Sequence, residues 1–342
     1  MNTDESSLGK FSRKNFEDIV LPFIKSGPET IFPPRFGMDF SAIRMENGKI
    51  MVTSSDPLAI SPEIGWNRSG RLAFQVVAAD VAASGISPRY ISVNWNLPPE
   101  ITDGQFEKVW SDFVLEAEDC GVEIIGGHTA RYEGCQFPMV GAATVLGVGS
   151  ENDLLTKKVS EGDVLFLLNY PGLEAASILA LYYPQLLDNR LEKLQIEDLI
   201  RKFDRTNVVN DLQKISSYPG VALAHDLAEG GLIGGLGEMV NTMDAGVKIE
   251  KENINVPKNV EMICSEFDLD PLKITSVGAA VLVIKKSRLE EFQNSLENKI
   301  NLTAIGRIEG KHVTVKDGEE TYQEKDSVRD LFWDKLSKLK KS

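Results

Sequence analysis

Apolar residues alternate with polar ones in some segments of the chain and recur at helical spacing in others. Alternation over residues 49–54 and 90–95 predicts two strands, because successive side chains of a strand point to opposite faces. Helical spacing over residues 70–84 predicts a helix. A second helix should begin after Thr102, because Gln105 stands three residues later, as in a capping box. The pattern therefore predicts mixed α and β structure.

The same analysis divides the chain into two units of similar organisation. In the first unit, residues 122–125 read as a short buried strand that ends at Gly126-Gly127, and residues 139–148 as a strand rich in Gly and Ala. Continuous apolar runs predict buried strands at 164–168 and 277–284 in the second unit. Helices are predicted there over 174–182, 190–202 and 207–216. The resulting parts are a lead segment 1–35, a first unit 36–150, a second unit 151–317 and a tail 318–342 with an amphipathic helix.

Composition narrows the classes of function. With 342 residues, 42% of them hydrophobic, the chain is long enough to bury the cores of two domains. The net charge of -14 argues against nucleic acid or an acidic membrane surface as a partner, because both require concentrated Lys and Arg. No apolar run reaches the roughly 18 residues of a membrane span, and residues 1–10 are polar, so we expect neither a membrane span nor a signal peptide. The three cysteines are an odd number and lack a metal-binding spacing, so we expect buried free thiols. Free thiols fit a reducing compartment, and we therefore expect a cytoplasmic protein.

A carboxylate stands within the apolar stripe of the predicted helix 70–84. Asp80 shares that stripe with Val77, so its side chain should point inward. A buried carboxylate requires a cation, a metal or a cluster of donors, because burial without a partner is costly. The alternative is a structural ion pair with Arg71 or Arg89.

Two further carboxylates and a glycine pair stand where apolar segments end. Asp39 follows Gly37, and Asp56 precedes Pro57 in a Ser-Ser-Asp-Pro stretch that is typical of a turn when taken alone. The motif Gly126-Gly127-His128-Thr129 follows a predicted strand, where free backbone N–H groups could bind an anion. A tight turn with a capping threonine is the alternative for that motif.

The second unit carries a comparable motif. His225 and Asp226 stand at the end of a predicted strand, and Glu229 precedes two glycines. The pairing could orient an imidazole for proton transfer. It could equally cap the helix that follows, whose N-terminus favours negative charge.

These motifs, in this order, resemble the aminoimidazole ribonucleotide (AIR) synthetase superfamily over nearly the whole chain. The anchors include Gly37-Met38-Asp39, Ser55-Asp56-Pro57, the Asp80 helix, Gly126-Gly127-His128-Thr129 and His225-Asp226 with Glu229-Gly230-Gly231. The sequence looks closest to the AIR synthase-related branch near the hydrogenase-maturation protein HypE. The resemblance implies a PurM-like two-domain α+β fold. The N-terminal domains of two copies would close a β-barrel at a homodimer interface, beside a C-terminal α+β domain.

The resemblance also implies a site for ATP and Mg²⁺ between the two domains. The metal ligands would be Asp39, Asp56 and Asp80. The nucleotide pocket would be lined by Gly126, Gly127, His128 and Thr129, with Lys10 folding over the phosphates. A small second substrate, whose identity the sequence does not give, would face His225, Asp226 and Glu229.

Departures from the family pattern leave more than one function open. Met38 stands where most relatives carry an acidic residue, and Ala79 stands where they carry Asn. We predict a magnesium-dependent enzyme that phosphorylates a small metabolite or activates it with ATP. Thiamine-monophosphate kinase is the alternative within the enzyme class. The other alternative is a catalytically weakened member that serves as a nucleotide-binding or partner-binding module.

Overall fold

Two β-sheets with their helices build the chain, whose computed structural model describes residues 9–156, 158–187, 191–296, 300–325 and 328–339. The first sheet contains β1 (Thr30–Phe32), β2 (Ser41–Arg44), β3 (Lys49–Ala59), β4 (Pro88–Leu97), β5 (Glu123–Arg131) and β6 (Met139–Ser150). The second contains β7 (Val164–Leu168), β8 (Val221–Leu227), β9 (Val247–Glu250), β10 (Ala279–Ile284), β11 (Leu302–Ile308), β12 (Val313–Asp317) and β13 (Glu320–Gln323). The helices are α1 (Arg13–Asn15), α2 (Trp66–Ala83), α3 (Asp103–Asp119), α4 (Leu173–Tyr182), α5 (Pro184–Leu187), α6 (Lys193–Arg205), α7 (Val208–Ser216), α8 (Gly231–Met243), α9 (Lys258–Glu266), α10 (Leu289–Ser295) and α11 (Phe332–Leu339).

The first sheet is open. Its strand order is β1-β2-β3-β6-β4-β5, in which β4 and β5 pair parallel and the other neighbours antiparallel. Within the described part of the chain, β1 and β5 form the two edges. One chain therefore does not close the predicted β-barrel, and closure across a homodimer stays a prediction.

Helices α2 and α3 cover one face of this sheet. The apolar stripe of α2 buries Phe74 against Phe113 of α3, with the rings edge to face and their centroids 5.6 Å apart. The predicted capping box at Thr102 is confirmed, because its hydroxyl accepts from Gln105 N at 3.3 Å and its own N–H donates to Gln105 Oε1 at 2.9 Å. The local sequence thus fixes where α3 begins.

The second sheet runs in the order β13-β12-β9-β11-β7-β10-β8. Every residue of β10 is buried, and so are the last four of β7, as their unbroken apolar sequences predict. Helix α8 packs against β8, whereas α4 forms a separate apolar cluster with α6 and α9. The predicted two-domain α+β architecture is confirmed.

Several elements differ from the prediction. β5 is not a short buried strand but a longer exposed one, because it lies at the sheet edge and continues through the glycine motif. β3 continues through Asp56 and Pro57, so the turn interpretation of that stretch is wrong. β1 of the lead segment pairs with β2, and β13 adds a strand to the tail. The predicted start of α6 at Arg190 lies outside the described residues.

The two units are joined along helix α2. Arg71 donates to the carbonyl oxygens of Thr206 and Phe203, each at 2.7 Å, and Gln75 Oε1 accepts from Val209 N at 3.3 Å. Apolar residues of both units form one continuous core beneath these contacts. Among the described helices, none combines the length and apolar character that crossing a membrane requires.

Candidate active site

A cleft of about 1010 Å³ opens between the two units. It brings together seven of the predicted site residues, namely Lys10, Asp39, Asp56, Asp80, His225, Asp226 and Glu229. Its size is in the range of small-molecule and cofactor sites. The cleft is therefore the candidate active site.

Three carboxylates converge in this cleft from three different elements. Asp39 follows the turn at Gly37, Asp80 lies on α2, and Asp226 lies on β8, with one oxygen of each within 4.8 Å of the others. Gly37 has a φ of +79°, and a Cβ there would lie 3.0 Å from Glu238 O, so glycine lets this turn approach α8. Oxygen ligands at such spacing suit a hard divalent cation.

The pKa shifts of Asp80 and Asp226 also indicate a cation site. Burial, followed by the charges of Asp226 and Asp56, raises the pKa of Asp80 well above its usual range. Burial and the charge of Asp39 raise the pKa of Asp226 to about 7. Like charges held together without water disfavour ionisation, and a bound cation would remove that penalty. The donor set therefore fits a metal ion.

Asp56 joins the cluster through a serine. Ser54 Oγ donates to Asp80 Oδ2 at 2.5 Å and lies 3.2 Å from Asp56 Oδ2. Ser54 and Asp56 are two residues apart on β3, so their side chains share one face of the strand. Asp80 does not pair with Arg71, which binds backbone carbonyl oxygens instead, so the structural ion-pair alternative is wrong for that arginine.

His225 is held between carboxylates of both units. Its Nδ1 lies 2.7 Å from Asp39 Oδ2, and its Nε2 lies 3.3 Å from Glu238 Oε2. Burial alone would lower the pKa of His225. The charges and hydrogen bonds of Asp39 and Glu238 outweigh that effect and raise the pKa to about 10. The ring is therefore an imidazolium at neutral pH and donates from both nitrogens. Its Nδ1 contact holds Asp39 in place.

Lys10 closes the cleft from the N-terminal segment. Its Nζ lies 2.7 Å from Glu238 Oε1, and its backbone N–H donates to Glu229 Oε2 at 2.8 Å. Burial opposes ionisation of Glu238, but His225 and Lys10 favour it and bring the pKa of Glu238 to about 2. Glu229 therefore binds Lys10 and does not cap α8, whose N-cap is Gly230 without a side-chain hydrogen bond.

Sequence reasoning missed Glu238. It is the single charged residue of α8, a helix otherwise made of apolar residues, glycines and uncharged polar residues. A lone carboxylate in such a helix is a signal that could have identified it, because a charged residue is rarely buried without a partner. Glu238 bridges His225 and Lys10 in the structure.

The glycine motif lies elsewhere. Gly126, Gly127, His128 and Thr129 are exposed within β5 and do not line the cleft of their own chain. A Cβ at Gly127 would lie 1.8 Å from Val93 O, so glycine is required for the pairing of β5 with β4. His128 Nε2 is 2.8 Å from Tyr132 Oη. The motif is therefore not the tight turn that was the alternative interpretation of the sequence, and its predicted place in the nucleotide pocket is not found within one chain.

Comparison with known proteins agrees with this architecture. Carbamoyl dehydratase HypE of Rhodobacter capsulatus is 24% identical to this chain over 245 residues, which are 71% of this chain and 69% of that protein. The solved structure of HypE in complex with ATP superposes with a TM-score of 0.66 at 19% identity, covering 94% of this chain and 96% of the other. AaThiL complexed with AMPPCP and TMP gives a TM-score of 0.65 at 18% identity, covering 84% and 91%. At such identities the structural likeness shows the fold.

Two family models cover most of the chain. The model described as AIR synthase related protein, N-terminal domain, matches residues 37–148. The model described as AIR synthase related protein, C-terminal domain, matches residues 160–318. The two matches correspond to the two sheets and follow each other in the family's order. The chain therefore belongs to the AIR synthase related family, with a PurM-like fold near that of HypE.

Proposed function

We propose that the protein is an enzyme that uses ATP and Mg²⁺ to phosphorylate or activate a small metabolite. The observation that carries this proposal is the convergence of Asp39, Asp80 and Asp226 within 4.8 Å in a cleft that also holds Lys10. Mg²⁺ in phosphoryl-transfer sites is commonly bound by one or two carboxylates together with the phosphates. The complexes of HypE with ATP and of AaThiL with AMPPCP support a nucleotide as the ligand.

The residues of the chain would divide the work. Asp39, Asp80 and Asp226 would hold the metal, which when bound neutralises phosphate charge. His225 keeps Asp39 in place, and Lys10 supplies a positive charge at the cleft. In the transfer, a bond forms between an acceptor oxygen and the terminal phosphorus while the bond from that phosphorus to ADP breaks. A hydroxyl acceptor also releases its proton.

The proposal is tested by thermal unfolding with Mg²⁺, with ATP and with both. A ligand at a hundredfold excess over its Kd stabilises by about 2.7 kcal/mol, which is enough to raise Tm. We expect a shift that requires both components and is lost in Asp80→Asn. The matched control is Asp103→Asn, whose side chain is 97% exposed on α3. A full shift in Asp80→Asn would contradict the proposed site.

The exposed edge of β5 supports a homodimer, which we include in the proposal. Ile125 and Tyr132 are 53% and 45% exposed on or next to that edge, and its backbone has no partner strand among the described residues. Natural proteins rarely leave such an edge unpaired. A second copy on this edge would extend the sheet and could carry Gly126–Thr129 toward the neighbouring cleft. This arrangement would reconcile the glycine motif with nucleotide binding.

Two alternatives have observations of their own. Thiamine-monophosphate kinase of Aquifex aeolicus is 21% identical to this chain over 261 residues, which supports a kinase acting on a similar acceptor. Met38 in the cleft, at a position where the family resemblance implies an acidic residue, favours a weakened binding module. Turnover of ATP with thiamine monophosphate would establish the first. Absence of any shift at millimolar ATP would favour the second.

A further inference from the structure

A buried carboxylate that the predicted site does not include lies on the wall of the same cleft. Glu174 stands in the first turn of α4 and is 5% exposed. Its Oε2 accepts hydrogen bonds from Val277 N at 2.8 Å and from Thr275 Oγ1 at 2.9 Å. Its other oxygen, Oε1, accepts none from the described residues, although Glu174 lines the cleft. One carboxylate oxygen is therefore available to a ligand.

Glu174 has no cationic partner in the part of the chain that the structure describes. Burial, with the nearby charges of Asp330 and Glu229, raises the pKa of Glu174 to about 7 despite its two hydrogen bonds. A carboxyl group held in this way gains from a positively charged or hydrogen-bond-donating ligand. A negatively charged ligand group would be repelled by all three acids.

Several of the side chains in the cleft that Glu174 lines are apolar. Leu72, Ile178 and Trp333 line the same cleft as Glu174 and Val277. Apolar walls beside a carboxylate oxygen that accepts no hydrogen bond from the described residues are typical of a small-molecule subsite.

The segment 275–277, which binds Glu174, contacts the chain just after β8. Ser276 N, between the two residues that bind Glu174, donates to Ala228 O at 3.3 Å, two residues after Asp226. This hydrogen bond connects the segment that binds Glu174 to the end of β8, which carries Asp226. Lys10, whose charge suits anionic phosphates, comes from a different segment and binds Glu229 through its backbone N–H. The cleft thus offers a cationic group on the N-terminal segment and a buried carboxylate on α4.

From these contacts we propose that Glu174 marks the acceptor subsite. The acceptor is a small molecule with an apolar, flat or branched body and a nitrogen group, protonated or carrying N–H, that binds Glu174 Oε1. This inference rests on the proposed function and adds the substrate class to it. The Glu174 carboxylate serves as a specificity-determining group that rejects anionic analogues.

The test uses three matched probes with the whole chain, Mg²⁺ and AMPPCP. Benzylamine, benzyl alcohol and benzoate share a phenyl body and differ in the group offered to Glu174. We expect benzylamine to raise Tm above that with Mg²⁺ and AMPPCP alone, and benzoate to have no effect. Because Mg²⁺ is present, the carboxylate cluster is occupied and does not compete for the amine.

Variants assign the effect to one residue. In Glu174→Gln the benzylamine concentration that gives half the Tm shift should rise at least tenfold, while the shift with Mg²⁺ and AMPPCP stays unchanged. The matched control is Ser177→Ala on the same helix, since Ser177 is buried but does not line the cleft. Equal shifts with benzylamine and benzoate, no benzylamine shift, or an unchanged response in Glu174→Gln would overturn the inference.

The outcomes separate the two proposals. If Mg²⁺ and AMPPCP do not raise the Tm of the unmodified protein, the proposed function is refuted. A normal nucleotide shift without discrimination among the three probes would refute only the acceptor subsite. The probe comparison needs no variant, so it decides the matter even where Glu174→Gln fails to fold.

Discussion

Individual residues of the cleft are arranged at a cost to the stability of the folded chain. Asp80 and Asp226 are close together and largely removed from water, and their raised pKa values reflect that cost. Functional sites often store such unfavourable interactions because the ligand relieves them. His225 offsets part of the negative charge by remaining protonated between Asp39 and Glu238.

Replacing Asp226 by Asn should therefore stabilise the ligand-free protein. The change removes one of the crowded charges and keeps the side-chain volume, so the free energy of unfolding should rise by about 0.5–2 kcal/mol. The same variant should lose the Tm shift with Mg²⁺ and ATP, because a proposed metal ligand is gone. Urea unfolding without ligand measures the first effect. A lower ligand-free stability would contradict this account of the cluster.

A second carboxylate has the opposite character and supports the fold. Asp163, 3% exposed before β7, accepts from Ser160 N at 2.8 Å, Lys286 N at 3.0 Å and Lys285 Nζ at 2.9 Å. Burial alone would raise the pKa of Asp163. These hydrogen bonds outweigh that effect, so the pKa of Asp163 is lowered overall. The ionised form therefore stabilises the folded state.

Asp163→Asn should lower the free energy of unfolding at pH 7 by about 1.5–3 kcal/mol, because hydrogen bonds to a charged group are lost. The stabilisation by Asp163 is present above the unfolded-state pKa near 3.9 and is lost as pH falls through the lower folded-state pKa. The gap between variant and parent should accordingly shrink below about pH 4. Urea titrations at several pH values check this, with Asp317→Asn as an exposed ion-pair control.

Sequence reasoning predicted the carboxylates of the cleft but missed their partners. Asp39 and Asp80 stand in local contexts, a glycine turn and an apolar stripe, that a single sequence displays. Glu238 and Glu174 acquire their roles from contacts more than 100 residues away, with Lys10 in one case and Thr275 in the other. No local pattern encodes such contacts, which depend on how the two units pack.

At the scale of elements, the close crossing of α2 and α3 shapes the first unit. A Cβ on Gly70 would lie 2.0 Å from Val109 O, so the backbones of the two helices come into close contact at this glycine. Helix α2 also carries Asp80 and contacts α7 of the second unit. A displacement of α2 would therefore move Asp80 and disturb the contact between the two units.

Gly70→Ala should be destabilising although alanine favours helices. The added methyl group must push α3 away, and overpacking of this kind costs about 1–3 kcal/mol. The matched control is Gly104→Ala in the first turn of α3, where a Cβ meets nothing within 4 Å. That control should be neutral or stabilising by up to about 1 kcal/mol. Thermal unfolding of both variants provides the comparison, and equal stability of the two would show that the crossing is not tight.

Element prediction succeeded where the period was clear and failed at the sheet edges. The start of α3 and the limits of β7 follow from a capping box and an unbroken apolar run. β5 and β13 are edge strands with exposed side chains: the short apolar run at residues 122–125 indicated a buried strand instead, and β13 shows no apolar run at all. Their pairing is decided by neighbouring strands distant in sequence, which periodicity does not report.

At the scale of the whole molecule, the proposed homodimer would pair through the open edge at β5. Ile125→Lys would place a charge on this edge and should convert a homodimer to a monomer. Light scattering after size exclusion measures the mass. Leu115→Lys on α3 is the matched control, since Leu115 is 60% exposed but lies on a helix. A dimeric Ile125→Lys variant, or a monomeric parent protein, would rule out pairing through β5.

The chain of ion pairs from Asp39 through His225 and Glu238 to Lys10 bears on how a ligand enters and leaves. Swinging the two units apart would separate His225 from Asp39 and strand buried charges, at a cost of about 3–5 kcal/mol. Lifting the N-terminal segment would break the ion pair of Lys10 with Glu238 and the hydrogen bonds to Glu229 and Asn241, but the Lys10 side chain is 55% exposed and would regain water. Ligand exchange is therefore expected to use the N-terminal segment as a gate, while the two units stay docked throughout the cycle.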